Sequence, residues 1–114
     1  MNIKIISDSI TTAELREIGK EFYDSMIKGV VDLEKEIVAF GGQYHMDSNL
    51  RLIEQGSEQK NVWGFNIDFD QPKESWIEYV SLINIRPLAG NRRMEVEDED
   101  IKENMKKIIN SRIK

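Results

Sequence analysis

Three of the six arginines in the chain, Arg86, Arg92 and Arg93, fall within the stretch IRPLAGNRR. Arginine carries a planar fork of donors that matches a carboxylate or a phosphate. Gly90 and Asn91 can turn backbone amides toward the same point, and loops that leave a strand often hold binding sites. Arg92, beyond the expected strand end, is the first choice for contact with an anionic group. Arg86 has two readings: ligand contact, or an internal ion pair with an acid such as Asp32, Asp68 or Glu95. His45, the one histidine, lies in FGGQYHMD and is the natural general base if the chain does acid–base chemistry. Arg86, Asn91, Arg92 and His45 are therefore the candidate ligand-binding residues.

Other chemistry is poorly served. No HxH or HxxxH pattern accompanies His45, so no metal is expected. There is no glycine-rich phosphate loop and no serine elbow, and no cofactor is expected. The acidic run from Glu95 to Asp100 lacks the spacing of a calcium loop and reads as the start of a helix. The chain has no cysteine, which excludes disulfides, thiolate metal sites and cysteine nucleophiles, and which fits a reducing compartment. Met1–Ser7 shows no basic-then-apolar leader, and no apolar stretch approaches the length of a membrane span. A cytoplasmic protein without membrane contact is expected. The net charge of -5 gives no general attraction for nucleic acid; it reads first as solubility and second as suited to a basic protein partner.

The 114 residues are the size of one domain, 1–114, and the apolar residues run through all of it. Asn2–Ser7 reads as an opening strand. Thr11 to Glu14 has the form of a capping box, with Ile10 and Leu15 at staple spacing. Leu15, Ile18, Phe22 and Met26 then follow at helical intervals, predicting a helix over residues 12–25. Met26–Phe40 fits a helical heptad. Its β-branched pairs and bracketing glycines favour a β-hairpin turning at Glu34–Glu36. Asp47 or Ser48 can cap a short helix with Leu50 and Ile53 on one side, ended by Gly56.

Val62–Phe69 is the clearest strand, with Trp63, Phe65, Ile67 and Phe69 on one face. Trp76–Arg86 reads as a central strand ended by Pro87. Met94–Val96 reads as a brief edge strand. Asp98 caps a last helix over residues 99–112, with Ile101, Met105, Ile108 and Ile109 as its stripe. The order βαββαββ(β)α predicts an α+β fold, a mainly antiparallel sheet with about three helices packed on one face.

The stretch YVSLINIRPLAGNRRMEVED resembles a family of short prokaryotic proteins of unknown function, whose pattern is LINIRP, then GNR and a methionine–acid pair, then a final helix. Leu82–Pro87, Gly90–Arg92 and Met94–Glu95 carry the match. VVDLEKEIVAFGGQYHMD and Val62–Gly64 resemble further parts of the same pattern, so the resemblance spans about residues 3–112. It supports the hairpin, because relatives often have glycine at that turn. Val80 stands where members often have aspartate, and Arg93 where many have serine. The family implies no activity.

Three function classes follow from these readings. The first and favoured is a non-catalytic module that recognises a small anionic ligand or a protein partner. The second is an antitoxin-like member of a two-gene pair, since an acidic protein steers basic partners. The third is a small enzyme that clamps substrate with Arg86 or Arg92 and uses His45 or an acid as base. A pocket joining His45 to the arginines would favour the third.

Overall fold

In the computed structural model, which describes residues 1–114, the chain folds into three helices and one sheet. The strands are β1 (Ile3–Ile6), β2 (Met26–Asp32), β3 (Ile37–Gly41), β4 (Val62–Asp68) and β5 (Ile77–Glu78). They pair antiparallel in the order β1-β3-β2-β4-β5. The helices are α1 (Thr12–Gly19), α2 (His45–Glu54) and α3 (Glu99–Arg112). This is the expected α+β class with the expected element order.

The hairpin of β2 and β3 forms as its β-branched residues require. Asp32, buried at its turn, accepts hydrogen bonds from the Glu34 and Lys35 amides (2.9 and 3.0 Å) and from the Ser57 hydroxyl (2.6 Å). Trp63, Phe65 and Ile67 of β4 face a core built with Ile27, Val31, Val38 and Phe40. Leu15 and Ile18 of α1 and Met105, Ile108 and Ile109 of α3 cover it. The N-terminal caps of α1 and α3 are those expected. Thr11 Oγ1 accepts from the Glu14 amide at 3.1 Å, and Asp98 Oδ1 from the Asp100 and Ile101 amides at 2.8 and 3.2 Å.

Five local expectations are corrected. The helices do not all pack on one face. Val30, Ala39 and Val62, on the opposite side of β2, β3 and β4, form a second buried cluster with Leu52 of α2. Strands apolar at both alternating positions demand cover on both faces. α1 stops at Gly19, whose carbonyl accepts from the Phe22 and Tyr23 amides as the chain turns toward β2. Phe22 therefore leaves the apolar stripe and is exposed.

α2 begins earlier than expected, after Tyr44. Asp47 lies inside its first turn and reaches back to accept from the Gln43 and Tyr44 amides (3.0 and 2.9 Å). The helix buries His45, Ser48, Asn49 and Leu52 and leaves Leu50 exposed. Gly56 follows the helix with φ of +100°, the left-handed position that favours glycine.

The expected central strand from Trp76 to Arg86 is the largest departure. Only Ile77–Glu78 pairs as a strand, at the sheet edge. Beyond it come an isolated bridge of Val80 with Glu95 and 3-10 turns at Leu82–Asn84 and Pro87–Ala89. That bridge is all that forms of the expected strand at Met94–Val96.

Candidate functional site

The arginine loop is tightly built. Arg86 and Asn91 exchange two backbone hydrogen bonds (2.6 and 3.0 Å) that close the turn between them. Arg86 is half-buried, with its Cζ 4.2 Å from the centre of the Trp63 ring. Its guanidinium donates to the carbonyls of Ile83 (3.2 Å) and Lys60 (3.3 Å), and to that of Val62. It forms no ion pair with Asp32, Asp68, Glu95 or any other acid. Burial lowers its pKa. Asn91, 4% exposed, donates to the carbonyls of Asn84, Arg93 and Glu95 at 2.8–3.1 Å, and its Oδ1 accepts from the Glu97 amide at 2.8 Å.

Arg92 is exposed. Its amide donates to Glu97 Oε2 at 2.5 Å, while its side chain makes no hydrogen bond or ion pair in the chain. Of the three loop candidates, Arg92 alone keeps its side chain available to a ligand.

His45 sits elsewhere, in a cleft of about 600 Å³ to which neither Arg86, Asn91 nor Arg92 contributes. One wall is the first turn of α2, Tyr44 to Asp47. The other is the irregular segment from Val80 to Ile83, with Met94 beside it. Lys28 of β2 and Asn66 of β4, directly paired across the sheet, line the same space.

His45 is 8% exposed, and its Nε2 lies 2.8 Å from the Phe65 carbonyl. Burial, with the Lys28 charge adding to it, pushes its pKa down to about 4, and the Phe65 carbonyl and Asn66 side chain offset only part of this. At neutral pH the ring is therefore uncharged. A carbonyl can only accept, so the proton is on Nε2 and the lone pair on Nδ1.

Lys28 is half-buried and has no acid within ion-pair distance. Its ammonium donates to Asn66 Oδ1 at 3.3 Å and lies 5.4 Å from the centre of the Tyr23 ring. Burial lowers its pKa, and the more distant Glu78 opposes this. Around this cation the cleft is apolar, lined by Met46, Val80, Leu82, Ile83 and Met94. Ser81 Oγ accepts from the Ile83 amide (3.2 Å) and makes no hydrogen bond to His45. No three His, Asp or Glu side chains come together as a metal-ligand set.

Lys28, Asn66 and the apolar rim were not singled out from sequence. One signal was present: a lysine inside the otherwise apolar strand MIKGVV. Its partner across the sheet, Asn66, and the second wall became visible only with the strand register.

Together these features define a small α+β domain with a half-open recess between a helix start and an irregular segment, floored by a cation and walled by apolar side chains. Residues 4–112 match the family described as "Protein of unknown function (DUF5674)", and the chain belongs to that family. The matched span includes the LINIRP and GNR stretches. No curated protein and no solved structure matches the chain. No helix is long and apolar enough to cross a membrane.

Proposed function

We propose that the protein is a non-catalytic binding module that takes an anionic ligand into the cleft between α2 and the Val80–Ile83 segment. Lys28 carries this reading. A half-buried ammonium without an acid partner is costly to keep desolvated, and an anion entering the cleft supplies the missing charge. The apolar lining strengthens that interaction by excluding water. The free side chain of Arg92, at the separate arginine loop, is a second point at which an anionic group can be held. The cysteine-free composition supports placing the module in the cytoplasm.

A protein partner is the second reading. It is favoured by the exposed Tyr44, Met46, Leu82 and Met94 around the cleft mouth, since clustered exposed apolar side chains mark interaction sites.

The test is a thermal-shift panel of inorganic phosphate, citrate and octanoate on the parent protein, Lys28→Met and Arg92→Ala. At least one anion should raise the melting temperature of the parent and fail to do so for Lys28→Met. A shift of equal size in Lys28→Met would move the site away from the cleft.

A further inference from the structure

We infer that the ligand of this cleft is a monocarboxylic acid with an unbranched apolar body, and not a phosphate ester. This rests on the binding-module reading above and narrows it. Lys28 is the only Lys or Arg that lines the space, and Asp47 lines it as well. A singly charged head is matched by one ammonium, whereas a doubly charged phosphate would keep one charge unmatched and be repelled more strongly by the Asp47 carboxylate.

The start of α2 does not alter this balance. Asp47 Oδ2 already accepts from the Gln43 and Tyr44 amides there, at 3.0 and 2.9 Å, so the positive end of the helix has its anion.

The supply of donors agrees. The His45 proton is used on the Phe65 carbonyl, and one Lys28 proton on Asn66 Oδ1. Two protons of the ammonium are left for the ligand, as many as a carboxylate has oxygens, and the only other side-chain donors without a partner that line the space are the neutral hydroxyls of Tyr44 and Ser81. Phosphate sites present several converging donors or arginine forks, and Arg86, the nearest arginine in sequence to the Val80–Ile83 wall, is turned onto backbone carbonyls.

The rest of the lining selects the body. Met46 and Met94 are flexible, polarizable side chains that mould to a linear chain, and Leu82, 71% exposed, extends the apolar wall to the mouth. Each methylene that enters should strengthen binding about fourfold.

The experiment is calorimetric titration of the full chain at neutral pH with butanoate, hexanoate, octanoate, hexyl phosphate, 1-hexanol and N-acetyl-leucyl-leucine. Hexanoate should bind at least tenfold more tightly than 1-hexanol and hexyl phosphate, and affinity should climb from butanoate to octanoate. Lys28→Met should erase the preference for hexanoate over hexanol, and Leu82→Ser should flatten the climb with chain length. Leu82 is exposed, so that second variant keeps the test valid if Lys28→Met fails to fold. Hexyl phosphate binding as tightly as hexanoate, or the dipeptide binding more tightly, overturns the assignment of ligand class while leaving an anion-binding cleft. Failure of every anion to bind overturns both.

Discussion

The side chain of Asn84 pairs with the backbone of Gly64 as a neighbouring strand would. Its Oδ1 accepts from the Gly64 amide at 2.8 Å and its Nδ2 donates to the Gly64 carbonyl at 3.0 Å. The same Nδ2 reaches the Met94 carbonyl at 3.2 Å. Asn84, Arg86 and Asn91 therefore serve one purpose. They satisfy backbone groups of β4, of the turn just before it and of the segment after β5 that are left open where no regular strand pairs. In this way an irregular chain is docked against the sheet and forms one wall of the cleft. Gly64 allows the close approach, since a Cβ there would stand 2.6 Å from Ser81 Cβ.

Asn84→Ala should destabilise the fold by about 2–4 kcal/mol, because it leaves the buried Gly64 amide and carbonyl without partners. Gly64→Ala should cost about 1–3 kcal/mol through overpacking against Ser81. Adding Ser81→Gly should recover part of the second loss and none of the first. Urea denaturation of the parent, the two single variants and the two double variants reads this directly. Equal rescue of both single variants would mean that the pairing is not what holds the segment.

Arg86 and Arg92 should separate cleanly. Arg86→Ala should lower the melting temperature by several degrees, because three carbonyls lose a charged donor and the Trp63 ring loses its cover. Arg86→Lys should not restore it, since an ammonium cannot reproduce the fork. Arg92→Ala should leave the melting temperature within a degree or so of the parent. A stable Arg86→Lys would show that charge alone, and not the geometry of the guanidinium, is what this position needs.

His45 should make the fold acid-sensitive. Its pKa falls from 6.5 to about 4 on folding, so between these values the unfolded chain binds more protons than the folded one. The stability this group confers is complete above pH 6.5 and is lost as the pH drops toward 4. The loss amounts to at most about 3 kcal/mol. His45→Gln retains a donor for the Phe65 carbonyl but cannot titrate. Its stability should fall less between pH 7 and pH 4 than that of the parent, by an amount of that order. Parallel pH profiles for the two proteins would place the imidazole in contact with water instead.

Where residue type alone decides local structure, the sequence was sufficient. Thr11 and Asp98 cap their helices because a short oxygen-bearing side chain before an apolar-periodic run has few better uses. The alternation from Trp63 to Phe69 could only be a strand with one aromatic face buried. The β-branched pairs of β2 and β3 outweighed the heptad reading of the same residues.

Where a buried surface is polar, hydropathy pointed the wrong way. α2 turns Ser48 and Asn49 inward because the Gly41 carbonyl accepts from Ser48 Oγ at 2.8 Å, and the side-chain amides of Asn49 and Gln59 pair at 2.8 Å in both directions. Leu50 is left outside. From Tyr79 to Arg86 the apolar residues imitate a strand. The backbone bonds that would make one are replaced by the side chains of Asn84, Arg86 and Asn91, whose partners lie on and just before β4, within the segment itself and in the following loop.

The cleft follows the same logic. Lys28 and Asn66 are 38 positions apart and meet because β2 and β4 pair in one particular register. The pKa of His45 is pushed down by tertiary burial, with the Lys28 charge from another strand adding to it. Composition and spacing determined the class of fold, its caps and its clearest strands, because those depend on short-range sterics and hydrogen bonding. The tertiary structure alone decided which polar side chains face inward and that the half-buried Lys28 ammonium has no acid beside it, because both depend on groups brought together from distant parts of the chain.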